Sequence, residues 1–384
     1  MTVAHASPHP LAQGARHVGR QPWIDNLRVA VIAGVIVHHV ATAYVLDVDW
    51  YYQERTSNAA TEAAVAAVIL PASLFAMAVL FLLAGLLAQR SLRRDGAGKF
   101  LRRRLLRLGV PLVVYTFLIG PATSVAGARA EGDPAAADVG TLFITELREL
   151  DTGPLWFVAA LLVFSVAYVA WRSARPSRGA PAPLRRRHLA VAGAAIVVGS
   201  FAVRLVWPFA TDSPFNLNLW EWPQTATLFA FGVLAGERGW LDPVPHWIPR
   251  TCGRATAAAL VGLGALVAAV SVANDKDPFA GGWHVQALAE PLIEAPMAVA
   301  MSLWLVVWFM RRADHDGPLP RRLGRASFAA YILHAPVVVL LSAGLSSLAM
   351  VIEIKFLVVA VLGVIASFTV GWLTTRVRPL ARVL

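Results

Sequence analysis

Charge is scarce in this chain: 15% of its 384 residues are Asp, Glu, Lys or Arg, while 57% are hydrophobic. A soluble domain carries about a quarter charged residues, so the deficit argues for lipid as part of the solvent. Cysteine is scarcer still, and the single Cys252 excludes an intramolecular disulfide. No metal site is expected, because no ligand cluster with suitable spacing occurs. His5, His9 and His17 sit in a Pro/Ala/Gly-rich leader, read as disordered rather than ligating. No repeat of fixed period is visible, which leaves an inverted-repeat transporter unsupported. Nor is any polar stretch long enough for a separate soluble domain.

What the chain has instead is apolar blocks of roughly 18–25 residues, the length that crosses about 30 Å of hydrocarbon. They fall at 24–46, 63–89, 105–126, 153–172, 189–208, 223–237, 255–273, 287–310, 326–349 and 355–376. The expected fold is therefore all-α: a polytopic integral membrane helical bundle of about ten transmembrane helices, both termini cytoplasmic. Residues 1–22 read as a disordered cytoplasmic tail, 23–376 as the transmembrane domain and 377–384 as a short cytoplasmic tail.

The net charge of +11 does not point to nucleic acid, because the basic residues cluster between apolar blocks without aromatic interleaving. They follow the positive-inside rule. With the amino terminus inside, 28 of the 34 Lys and Arg fall on the inner side, and only Arg55, Arg129, Arg148, Arg204, Lys276 and Lys355 fall outside. The acids Asp47, Asp49, Glu54, Glu131, Asp133, Asp151, Asp212 and Asp277 do the reverse. In the longest outer loop, 127–152, Leu142, Ile144, Leu147 and Leu150 have the spacing of a short interfacial helix. A competing reading takes Arg16, Arg20, the run Val29–Val37 and the triplet Ala41-Thr42-Ala43 as a cleavable signal peptide. Asp25, Arg28, His38 and His39 make it a poor one.

Ionisable residues inside spans line cavities or pair with one another. The first span holds four. Asp25 and Arg28 stand at i, i+3 and can pair at the inner interface. Arg28 and His39 are eleven residues apart, about 1100° of rotation, so they share a face about 16 Å apart. His38 is turned roughly 100° away from that face. The two could act only on different parts of one long ligand. The structural alternative is that Arg28 snorkels to headgroups and His39 bonds a neighbouring helix.

Trp23-Ile24-Asp25-Asn26-Leu27-Arg28, ten further residues and His39 resemble the first helix of the membrane-bound acyltransferase-3 family. Three later segments match in order: Arg104-Leu105-Leu106-Arg107, Gly153-Pro154-Leu155-Trp156-Phe157, and Ser327-Phe328-Ala329-Ala330-Tyr331-Ile332-Leu333-His334. The resemblance runs from about residue 22 to 340, and its overall look is similar to the glucan-succinylating branch.

The resemblance implies a transmembrane acyltransferase domain that moves an acetyl or succinyl group from cytoplasmic acyl-coenzyme A (acetyl-CoA or succinyl-CoA). The acceptor would be a hydroxyl of an extracytoplasmic carbohydrate or lipid-linked glycan. His39 would be the catalytic residue, as general base or as acyl carrier. Arg28, Arg104 and Arg107 would hold the polyanionic donor, as guanidinium forks suit phosphates; plain positive-inside topology also accounts for that arginine run. Trp156 is read as a site residue or an interfacial anchor, and His334 as lining the cavity or satisfying a carbonyl. Glu290 and Glu294, at i, i+4, could orient the acceptor or assist His39; no motif supports them. Asp25 completes the supporting set. The implied partners are the acyl-CoA donor, the glycan acceptor and membrane lipids, with no bound cofactor and no nucleic acid. The location is a bacterial cytoplasmic (inner) membrane, multi-pass. A secondary transporter or exporter without acyl transfer, or a sensing membrane protein, are the competing classes. The oligomeric state leaves no mark in the sequence.

Overall fold

The computed structural model describes residues 20–175 and 181–383. Nearly all of the expected amino-terminal tail, with His5, His9 and His17, lies outside the described residues. Among the described residues the regular structure is helical, with no strand.

Helix α1 (Pro22–Tyr44) opens with proline in its first turn and Asp25 beside the positive helix end. It runs unbroken through Ala41-Thr42-Ala43, and all three residues are buried. The triplet that imitates a cleavage site is therefore part of the interior. Asn58 caps α2 (Ala59–Arg104), its side chain accepting from the amides of Ala60 and Thr61 at 3.0 and 3.3 Å. Gly96, at φ +74°, breaks α2, a conformation that glycine adopts without strain. Asp95 beside it accepts from Ser91, Arg94 and Arg103, which fastens the two arms together.

The helix then continues through two π turns, Leu105–Gly109 and Tyr115–Ile119, with α3 (Val110–Val114) between them and α4 (Gly120–Glu131) after them. Pro111 and Pro121 lie in the first turns of α3 and α4. A proline lacks the N–H that an α ladder needs, and widening the preceding turn accommodates it. Gly132, at φ +78°, ends α4. Helix α5 (Val139–Glu149), capped by Asp138, forms where the sequence predicts one.

The remaining helices are α6 (Trp156–Ala174), α7 (Arg186–Arg204), α8 (Trp222–Arg238), α9 (Ile248–Ala273) and the single turn α10 (Asp277–Ala280). Then α11 (Ala289–Pro296) passes through a third π turn into α12 (Ser302–Arg312), followed by α13 (Pro318–Ser346) and α14 (Ile352–Thr374).

Eight helical stretches among the described residues are long and apolar enough to cross a membrane. Two features separate this number from the ten apolar blocks of the sequence. The stretch Ala59–Glu131 counts once although Gly96 breaks it, and α8 has 17 residues. Lipid offers helices little hydrophobic reason to associate, so membrane bundles rely on close backbone approach. A Cβ on Gly85 of α2 would sit 2.1 Å from the carbonyl oxygen of Phe229 on α8, and one on Gly232 would sit 2.2 Å from that of Leu82. Helix α1 is central: it packs on α13 and α14, and also on α2 and α12.

Candidate active site

A half-buried imidazole, His39, and a fully buried one, His334, face each other where α1 meets α13. His39 Nδ1 lies 3.0 Å from His334 Nε2, and His334 Nδ1 lies 2.5 Å from the Tyr331 carbonyl oxygen. A carbonyl oxygen only accepts, so His334 Nδ1 carries a proton. In the neutral ring His334 Nε2 is then bare and accepts from His39 Nδ1–H. In a neutral His39 this order of donors places the ring's lone pair on Nε2. His334 has no exposed surface. His38 is outside the pair, its ring edge-on to His39 at 5.3 Å.

The indole of Trp50 stacks on His39, with ring centroids 4.2 Å apart and planes 22° from parallel. Trp50 belongs to the segment between α1 and α2, which is strapped across the bundle from several sides. The amides of Glu54 and Thr56 donate to the carbonyls of Ala43 and Tyr44 at the end of α1. Lys355 of α14, 2% exposed, bonds Glu54 at 2.6 Å, and Thr56 bonds Glu353 at 2.5 Å. The Gln53 amide donates to Glu131 of α4. Tyr115 donates to the Tyr51 hydroxyl at 3.2 Å. Burial, and then the Asp151 carboxylate, push the Tyr51 phenol well above its ordinary value, so it stays a neutral hydroxyl.

A cavity of about 380 Å³ lies below this pair. Its basic end holds Arg28, Arg94, Arg103, Arg104 and Arg107. Asp25 pairs with Arg20 and Arg28 at 2.7 and 3.4 Å, and Asp95 pairs with Arg94 and Arg103 at 3.0 and 2.5 Å. Two carboxylates thus oppose five lining guanidinium groups, and the end is electropositive. The other end is apolar, formed by Ile32, Leu80, Leu83, Ala84, Phe157 and Tyr331. Tyr331 closes it, with its hydroxyl on the Pro154 carbonyl and its ring 5.7 Å from that of Phe157. His334 is one helical turn further along α13.

The sequence-derived candidates separate into two groups. His39 and His334 meet directly, while Arg28, Arg104 and Arg107 share one cavity, with Asp25 on Arg28 as the i, i+3 spacing predicts. Trp156 is 8% exposed, packed in the core at the start of α6 rather than placed as an interfacial anchor. Glu290 and Glu294 instead clasp the buried Arg204 of α7, Glu294 at 2.8 Å. A buried guanidinium demands carboxylate partners, and that need accounts for both.

Sequence reasoning missed Arg94, Arg103 and Trp50. The Asp95-Gly96 pair is a turn signal that could have folded the first two arginines back toward Arg104. Nothing in the sequence marks Trp50.

Membrane-length helices surround the paired imidazoles of His39 and His334, beside an arginine-lined cavity, and the chain is a multi-pass membrane protein. The acyltransferase domain model matches residues 21–376, and the chain belongs to the acyltransferase-3 family. It is thus a membrane acyltransferase. No curated protein and no solved structure matches it.

Proposed function

We propose that this chain is an O-acyltransferase of a bacterial cytoplasmic membrane, moving an acyl group from cytoplasmic acyl-CoA to a hydroxyl of an extracytoplasmic glycan or glycolipid. One observation carries the reading: the Tyr331 carbonyl, His334 and His39 form one hydrogen-bonded chain just beyond the closed end of an arginine-lined cavity, and in neutral rings that chain would leave His39 Nε2 as the base. Arg28, Arg104 and Arg107, with Arg94 and Arg103, would hold the nucleotide phosphates. The pantetheine arm would lie along the apolar lining, and the thioester would reach His39 once the Tyr331 and Phe157 rings part.

A ten-pass topology with both termini cytoplasmic fits this arrangement. Unbroken, the 73-residue stretch Ala59–Glu131 would be about 110 Å long, over three times the hydrocarbon thickness, so the Gly96 break supports two passes. The 17 residues of α8 meet the lower limit for one pass.

The lining also favours an uncharged acyl group. Leu80, Leu83, Ala84 and Phe157 offer no partner to the free carboxylate of a succinyl group. An unpaired charge at membrane depth costs roughly 3 kcal/mol or more, which is on the order of a hundredfold in rate. The acetyl donor is therefore the better fit, and the glucan-succinylating likeness draws no support from these residues.

Membranes carrying the chain, fed acetyl-CoA or succinyl-CoA, test the reading by mass spectrometry of surface glycans. The expected gain is one acetyl unit, with succinyl transfer on the order of a hundredfold slower. His39→Ala is expected to abolish transfer and His38→Ala to retain most of it. Glycan flux that ignores acyl-CoA would support an exporter and overturn the proposal.

A further inference from the structure

We propose that the Trp50 indole N–H is the oxyanion donor of the acyl transfer, a role that rests on the His39 reading above. Attack on a thioester turns its carbonyl oxygen into an oxyanion, and enzymes meet that charge with a fixed donor in a water-poor site. Backbone amides often serve, but those of the two histidines are engaged. His39 and His334 both lie inside long helices, where each N–H is committed to the carbonyl one turn back. Those two helices therefore offer no free amide to the reacting carbonyl, which turns attention to the side chains around His39.

Two hydroxyls beside the pair along α13 and α1 already have acceptors: Tyr331 donates to the Pro154 carbonyl and Thr42 to the carbonyl of His39. Trp50 Nε1 differs. It is buried, without a hydrogen-bond partner among the described residues, on a ring stacked against His39 at 4.2 Å. Burying a donor without an acceptor is a standing cost that native structures mostly avoid. It is accounted for if the acceptor arrives only during the reaction. The stacking geometry suits this. An acceptor hydroxyl on His39 Nε2 lies in the imidazole plane, whereas the oxygen of the carbonyl it attacks stands off that plane, toward the layer the indole occupies.

The step balances as follows. The acceptor oxygen bonds to the thioester carbon as its proton passes to His39 Nε2. The carbonyl π pair moves onto oxygen, held by Trp50 Nε1–H, which keeps its proton. The pair then returns, the C–S bond breaks, and the departing coenzyme A thiolate takes the proton from His39. The products are the ester and the free thiol, with His39 restored to its starting tautomer.

Trp50→Phe keeps a flat ring on His39 and removes the N–H. In purified protein its kcat for acetyl transfer is expected to fall about a hundredfold to a thousandfold, with the donor KM and thermal midpoint close to wild type. Trp50→His, which retains a ring N–H, is expected to recover at least part of that loss. A Phe variant as fast as wild type, a loss confined to KM, or equal rates for Phe and His variants would each overturn the assignment. Should Trp50→Phe not fold, Trp50→Tyr against Trp50→Leu poses the same question, donor against none, and equal rates again refute it. If the wild type transfers no acyl group from acyl-CoA, the functional reading has failed. If it does, and His39→Ala does not, a fast Phe variant removes only the role of Trp50.

Discussion

At the scale of single residues, the spacing of Arg28 and His39 separated His39 from His38, because helical rotation is fixed by counting. It could not reveal that His39 is hydrogen-bonded to a residue 295 positions away; a rotamer and a helix contact decide that, and neither is written locally. His334 gains its meaning from this pairing. In the proposed reaction, as the acceptor of His39 Nδ1–H, it would select the tautomer that leaves Nε2 bare without itself meeting substrate, the role of a positioning residue. His334→Ala frees the tautomer and the ring orientation. A general base contributes about a hundredfold to ten-thousandfold, and the variant is expected to lose an intermediate share, about tenfold to a hundredfold in kcat. Donor KM should hold, while the pH profile of kcat should move as the protonation of His39 loses its partner. An unchanged profile with a lower thermal midpoint would mean that His334 only fills space.

Among elements, the strap between α1 and α2 shows where sequence reading ended. The apolar blocks placed the helices because hydrophobic length is a local property, and the interfacial segment α5 was equally legible. The strap has no periodicity to read, and its path depends on contacts with α4 and α14. Gly127 of α4 is the clearest of these. A Cβ there would lie 1.6 Å from the Tyr51 carbonyl oxygen, so α4 and the strap touch backbone to backbone, one residue from Trp50. Gly127→Ala must push the strap outward. The expected result is a destabilisation of about 1–3 kcal/mol, read as a lower thermal midpoint, with a fall in kcat as the indole leaves His39. Donor affinity should be spared, since the arginines lie at the other end of the cavity. A loss of donor binding equal to the loss of rate would show that the strap and the cavity are not separate.

At the scale of the whole molecule the proposed sidedness rests on loop composition, with 28 of the 34 Lys and Arg assigned to the inner side. Three of the six basic residues assigned to the outer side against the rule have acidic partners: Arg55 pairs with Asp47, Lys355 with Glu54, and Arg204 with Glu290 and Glu294. The partner of Glu290 and Glu294 is thus Arg204 of α7, a contact that their i, i+4 spacing could not reveal. What loop composition leaves open is whether the 17-residue α8 crosses. Cysteine labelling decides it, since Cys252 is the single native cysteine and is buried, so a Cys252→Ser background is blank. In intact cells a membrane-impermeant maleimide should label Asp133→Cys and Asp275→Cys, and should reach Ala97→Cys and Ala381→Cys only after permeabilisation. If α8 folds back instead of crossing, every later segment changes side: Asp275→Cys falls silent and Ala381→Cys reacts from outside. The Asp133→Cys and Ala97→Cys results would stand in either case, so the parity of the last two sites isolates α8. A silent Asp275→Cys would also send α13 through the membrane opposite in sense to that proposed, and α1, α13 and the cavity between them could no longer present the arginines to the cytoplasm and His39 to the outer half.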